Sequence, residues 1–215
     1  MDIQVWSDVI CPWCYLGKRR LEKALSEFPG DVTVTVTHRA YQLDPSPVPP
    51  AMPLKPAMAA RFGGSAHADQ MFGHVTEVAA ADGLTLDFDR AIAANTFDAH
   101  RLIAWAAGQG RQADMLDALQ RAHFQDGIDV GSRPALADVA AGIGLDPAEA
   151  LAYLESEAGT RAVNADLAEA RELGITSVPT YVIDGKYAVQ GAQEPATLVA
   201  ALEEIMRREA VDAGR

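Results

Sequence analysis

The chain has 215 residues, a net charge of −12, 49% hydrophobic and 22% charged residues, and only two cysteines. That mixture is ordinary for a globular protein and long enough to bury a core without covalent staples. The acidic balance argues against nucleic acid and anionic membrane as partners, since both need a basic surface.

Ile3–Ser7 predicts a short first strand. Leu16–Phe28 predicts a helix, because Leu21, Ala24, Leu25 and Phe28 recur at helical spacing, and Pro29-Gly30 stops it. Val32, Val34 and Val36 alternate with Thr33, Thr35 and Thr37, a period-two strand with one buried face. Residues 41 to 56 carry six of the 12 prolines and predict an extended connection with no helix in it.

From about residue 57 to 174 the pattern is almost wholly helical. Gly63-Gly64-Ser65 opens one helix and Asp82-Gly83 closes it. Asn95-Thr96 caps the next, which runs to Gly108, and Ser132 caps a short one. Asp146-Pro147-Ala148-Glu149 combines a cap, a proline at the first helical position and an early Glu. A long helix before Gly174 ends the block. Strands return at Pro179–Ile183 and Lys186–Val189, joined at Asp184-Gly185 by a two-residue hairpin turn. Residues 195 to 209 predict a last amphipathic helix, and the tail from Ala210 predicts fraying.

The expected architecture is therefore α/β. A small four-stranded domain is built from 1–40 and 175–215, and a helical insertion domain from 41–174.

The chemistry concentrates at Cys11-Pro12-Trp13-Cys14, between the first strand and the first helix. Two thiols one helical turn apart at that junction read as a thioredoxin-type redox centre. Cys11, at the helix start, is the expected nucleophile, favoured there by unpaired N–H groups and the helix dipole. Cys14, one turn deeper, is expected to be more buried and to resolve the mixed disulfide. Pro12 suits the first turn, and Pro12 and Trp13 flank the sulfur where substrate meets it. Asp8 has two readings: a buried carboxylate that takes the proton from Cys14, or a solvated loop residue.

Three other readings of the pair are weaker. A structural zinc site needs about four ligands, and His38, His67, His74, His100 and His123 are not paired at ligand spacing, so no metal is expected. A structural disulfide would close too short a loop to gain much chain entropy. Two inert thiols leave the placement at a helix start unexplained. The proline of Thr176-Ser177-Val178-Pro179-Thr180 gains meaning beside the cysteines: a cis Val178–Pro179 bond would offer the Val178 backbone to an extended substrate.

These residues resemble the DsbA family of the thioredoxin superfamily, and within it the FrnE-like branch. The similar stretches are Ser7–Gly17, Tyr41-Gln42-Leu43-Asp44-Pro45, Asn95–Leu102, and Gly174–Thr180 with Gly191-Ala192-Gln193. The resemblance implies a thioredoxin-like fold with an inserted all-helical domain, thiol–disulfide exchange at Cys11 and Cys14, and a cis-proline loop facing Cys11. It also implies that Asn95 and His100 line the substrate cleft, although Asn95 and Thr96 equally serve as caps and Phe97 fits a core. Glutathione transferases of the kappa type and 2-hydroxychromene-2-carboxylate isomerases share the architecture but usually lack the second cysteine.

The expected function is thiol–disulfide exchange or isomerisation on protein or small-thiol substrates. No cofactor is bound, and glutathione or another thiol serves as redox co-substrate. The rivals are a glutathione-dependent isomerase or transferase acting on a small aromatic or polyketide-like molecule, and a holdase. The N-terminus carries no secretory signal and no apolar run spans a bilayer, so the expected location is the cytoplasm with no membrane partner. A homodimer is compatible with the sequence, where a groove and a dimer interface look alike.

Overall fold

The computed structural model describes residues 1–28, 32–49 and 51–213. Strand β1 (Asp2–Ser7) leads into helix α1 (Pro12–Glu27) and strand β2 (Thr35–Ala40). Seven helices follow: α2 (Leu54–Arg61), α3 (Ser65–Ala81), α4 (Phe97–Ala107), α5 (Gln112–Arg121), α6 (Arg133–Gly142), α7 (Pro147–Glu155) and α8 (Thr160–Glu172). A single π turn, Ala122–Asp126, extends α5. Strands β3 (Thr180–Ile183) and β4 (Tyr187–Gln190) and helix α9 (Pro195–Ala213) complete the chain.

The sheet order is β2-β1-β3-β4. β1 runs parallel to β2 and antiparallel to β3, and β3 pairs antiparallel with β4. The two ends of the chain therefore build one sheet, and the helices between β2 and β3 form the insertion. This is a thioredoxin-like fold with an inserted helical domain. Leu21 and Ala24 of α1, Phe28 just after it, and Leu198, Leu202 and Ile205 of α9 bury Ile3, Val5, Tyr181 and Ile183 between them. The helical block has its own core around Leu102, Leu116, Leu119, Leu136 and Leu154.

Several boundaries differ from the sequence expectation for identifiable reasons. α1 begins at Pro12 rather than Leu16, because proline is accommodated at a first helical position. β2 begins at Thr35; Val32, Val34 and Val36 still alternate with exposed neighbours, but only from Thr35 does β1 offer a partner. α2 begins at Leu54 with Pro56 inside it, because a first-turn residue needs no intrahelical N–H bond. α9 reaches Ala213, beyond the expected fraying point. Asp146 caps α7 as its sequence predicts, accepting from the N–H groups of Ala148 and Glu149. The Asp184-Gly185 turn has positive φ at both residues (50° and 66°), the requirement of a tight hairpin. The Pro29-Gly30 stop lies outside the described residues.

Candidate active site

β1 ends at Ser7 and delivers Asp8 and the cysteines to the start of α1. Cys11 occupies the N-cap position with extended backbone (φ −88°, ψ 114°), and Pro12 opens the helix. The Cys11 carbonyl accepts from the N–H groups of Cys14 (3.0 Å) and Tyr15 (3.2 Å), and Cys11 N–H donates to the Asp8 carbonyl (3.2 Å). Both cysteines are free thiols. Both are also buried, at 4% exposure for Cys11 and 2% for Cys14, so the expected contrast in burial is small. Burial pushes the Cys14 thiol well above its ordinary range; the hydrogen bond and charge of Cys11 add to this, and the Asp8 backbone opposes it. A proton on Cys14 therefore needs an acceptor before its sulfur can attack.

Across from the helix start, the Val178–Pro179 peptide is cis. Cys11 Sγ lies 3.9 Å from the Val178 carbonyl oxygen. Pro179 is buried, and its carbonyl accepts from Gly191 N–H at 2.8 Å. One contact absent from the sequence reading holds this loop against α1. A Cβ on Gly17 would stand 2.5 Å from Tyr181 Oη and 2.8 Å from Pro179 Cγ. A glycine inside a helix was the available signal, since it costs stability unless something approaches closely. Tyr181 Oη is buried without a hydrogen-bond partner beside the two sulfurs, and burial drives the hydroxyl far above the phenol range.

The helical block reaches the dipeptide between the cysteines. Trp13 is partly exposed and tilts against the His74 ring of α3, with centroids 5.9 Å apart. Asn95 is fully occupied: its Oδ1 accepts from Gln42 Nε2 (3.1 Å) and Phe97 N–H (3.0 Å). Its Nδ2 donates to the Pro45 and Ser46 carbonyls (2.9 and 3.1 Å). It thus fastens the proline-rich connection to the start of α4.

Asp8 is wholly buried, which rules out the solvated-loop reading. Its Oδ2 accepts from Leu43 N–H at 2.8 Å, and its Oδ1 makes no hydrogen bond. The structure brings His100 to it and not to the surface: His100 is 4% exposed, and its Nε2 lies 3.4 Å from Asp8 Oδ1. The same nitrogen lies 2.9 Å from the Tyr41 carbonyl, which only accepts, so Nε2 carries a proton. His123, in the π turn, also faces Asp8, and burial lowers its pKa to about 4. Neither ring nitrogen of His123 has a hydrogen-bond partner, and Thr96 and Gln120 elsewhere also bury side-chain atoms without one. Sequence could not have revealed that Asp8, His100 and His123 meet, because they come from three separate segments. Among the described residues, no group of three or more His, Cys, Asp or Glu could hold a metal ion. No helix is long and apolar enough to cross a membrane, among the same residues.

Comparison with known proteins agrees with this fold. The DSBA-like thioredoxin domain family matches residues 2–203. The probable DsbA oxidoreductase of Streptomyces coelicolor is 38% identical, with a TM-score of 0.88 over 95% of this chain and 89% of that one. The cytosolic disulfide reductase DsbM of Pseudomonas aeruginosa is 25% identical, with a TM-score of 0.64 over 96% and 99% of the two chains. DsbM also has a structure with GSH. A 2-hydroxychromene-2-carboxylate isomerase has a TM-score of 0.70 at 20% identity over 98% of both chains, a likeness of fold alone.

Proposed function

This chain belongs to the DSBA-like thioredoxin domain family, and we propose that it catalyses thiol–disulfide exchange and isomerisation on protein or small-thiol substrates. The observation that carries the reading is the pair of free thiols at the start of α1, with Cys11 Sγ 3.9 Å from the Val178 carbonyl. Cys11, as thiolate, attacks one sulfur of a substrate disulfide. That S–S bond breaks, one substrate thiol leaves with a proton, and a mixed disulfide remains. Cys14 then gives its proton to Asp8 and attacks Cys11 Sγ, releasing the second substrate thiol. The substrate gains two electrons and the protein is left with an intramolecular disulfide. The reverse sequence donates a disulfide, and mixtures of the two isomerise one.

Val178 offers backbone groups to the substrate chain, and Pro12, Trp13 and Pro179 surround the sulfur. Glutathione is the resetting thiol we favour, supported by the DsbM structure with GSH. A cytoplasmic site of action is supported by the description of DsbM as cytosolic. The second cysteine favours this reading over a glutathione-dependent isomerase, whose chemistry needs Cys11 alone.

Insulin reduction and refolding of a scrambled substrate test the proposal. Cys11→Ser is expected to abolish both, and full activity in that variant would overturn it. Cys14→Ser is expected to stall as a mixed disulfide. Unimpaired turnover of a small electrophile by Cys14→Ser, with no disulfide exchange by the unmodified protein, would favour the isomerase reading.

A further inference from the structure

Asp8 is too deep to exchange a proton with bulk water by itself. It is wholly buried, one oxygen is committed to Leu43 N–H, and the free oxygen points toward His100 Nε2. His100 leads somewhere. With Ile103, Ala104 and Ala107 on the same helix, it lines a cavity of about 170 Å³ between α4, β2 and α8. The polar lining comes from Ser7, His38, Arg39, Gln112 and Asp166, next in chain or space to the Asp8–His100 pair. A cavity of that size, with its mixed polar and apolar lining, has room for several waters. Cys11, Cys14, Trp13 and Pro179 do not line it, so it is a second approach to the site, separate from the substrate side.

We propose that His100 and this cavity form the proton conduit between the buried Cys14–Asp8 pair and solvent. The inference rests on the disulfide-exchange reading above. When a substrate thiolate attacks the Cys11–Cys14 disulfide, Cys14 leaves as a thiolate and must be protonated. A cavity water gives a proton to the free ring nitrogen of His100. His100 Nε2–H turns from the Tyr41 carbonyl (2.9 Å) to Asp8 Oδ1 (3.4 Å) and passes its proton there, and Asp8 passes one to Cys14. When Cys14 resolves a mixed disulfide, the same atoms carry one proton outward, and no electron moves along this path. The unbonded Asp8 Oδ1 is the atom such a path requires, since a buried acceptor without a partner is rare unless it has a task.

Other charged and titratable groups surround the path. Asp8 neighbours Cys11 at the cap of α1, Cys14 of α1, His100 of α4 and His123 of the π turn. His100 shares the cavity wall with His38 and Arg39 of β2 and Asp166 of α8. His123 does not line the cavity, which makes it the control.

The experiment is a quenched-flow reaction of reduced protein with glutathione disulfide, separating two rates. Attack by Cys11 is read as glutathione adduct in a Cys14→Ser background, and resolution as loss of that adduct with Cys14 present. His100→Phe removes both ring nitrogens. It is expected to slow resolution roughly ten-fold or more, as for loss of a proton-transfer group, while attack stays within about two-fold. Asp8→Asn with His100→Phe is expected to resolve no more slowly than the slower single variant, because groups in series are not additive. Imidazole in the buffer is expected to restore His100→Ala through the cavity, and His123→Leu to leave the ratio of the two rates unchanged.

Ala104→Met fills the cavity while leaving the His100 imidazole in the chain, and provides a test if His100 variants do not fold. It too should slow resolution selectively. Unchanged resolution in His100→Phe or, failing that variant, in Ala104→Met would overturn the proposal. So would equal slowing of both steps, which marks a structural role. If the unmodified protein forms no intramolecular disulfide, the disulfide-exchange reading itself falls, and this inference with it.

Discussion

Arg101 is the buried charge on which the packing of the insertion most depends, and removing it has a calculable cost. It is 2% exposed. Its Nε donates to the Ala158 carbonyl (2.8 Å), and Nη1 to Asp98 Oδ1 (2.6 Å) and the Leu154 carbonyl (3.0 Å). Nη2 donates to the Tyr153 and Ser156 carbonyls (3.0 and 2.5 Å), and the guanidinium lies 5.8 Å from the Tyr153 ring centroid. One side chain of α4 thus satisfies carbonyls at the end of α7 and in the turn after it, groups a helix end cannot satisfy internally.

Arg101→Met keeps most of the apolar volume and removes every donor. Asp98 keeps Arg133 as a partner (2.6 Å), so its charge is not stranded, but the buried Leu154 carbonyl is. The cost is that of the orphaned carbonyls, about 1 to 3 kcal/mol each where water cannot reach them, or roughly 3 to 5 kcal/mol in all. For a protein of this size that is a fall in Tm of about 6 to 20 °C. Thermal unfolding followed by circular dichroism reads it directly. Arg101→Lys should recover less than half, since an ammonium cannot span the four carbonyls. A fall below about 3 °C for Arg101→Met would refute the reasoning.

Gly17→Val should lower stability by about 1 to 3 kcal/mol through overpacking and slow insulin reduction, since the added carbons meet Tyr181 and Pro179; wild-type values for both would show that the loop gives way freely. His123 binds a proton near pH 6.5 when unfolded and only near 4 when folded. The stability it contributes is therefore complete above pH 6.5 and lost as pH falls toward 4, by about 3 kcal/mol in all. His123→Leu should flatten denaturation midpoints over that window, and an unchanged pH slope would contradict the burial argument. In Cys11→Ser, Cys14 should resist iodoacetamide near neutral pH and react only under clearly alkaline conditions, because burial favours its neutral thiol; rapid alkylation at pH 7 would count against it.

Much of this was legible in the sequence because it is local. The Cys11–Cys14 spacing, the Asp146 cap and the Asp184-Gly185 turn each follow from a few adjacent residues, and the structure shows each where its residues predict. The starts of α2 and β2 were less legible, since Pro56 is tolerated in a first turn and Thr35 begins a strand only where β1 lies alongside. Asn95 and His100 show the limit most clearly. Their residue types fit a cleft, a cap or a core equally well. Only the tertiary arrangement divides Asn95 between the 42–46 segment and the Phe97 N–H and turns His100 inward to Asp8. Gly17 left a trace, as a glycine within a helix, but nothing nearby in sequence could say that Tyr181 and Pro179 stand against it.

The most direct test of the central claim is the redox equilibrium of Cys11 and Cys14 in graded glutathione buffers, with free thiols trapped and counted by mass spectrometry. The account predicts one reversible two-electron transition to an intramolecular disulfide, with a midpoint between about −120 and −270 mV, the span from DsbA to thioredoxin. A protein that forms no such disulfide at any poise, or that only accumulates one glutathione on Cys11, would contradict it.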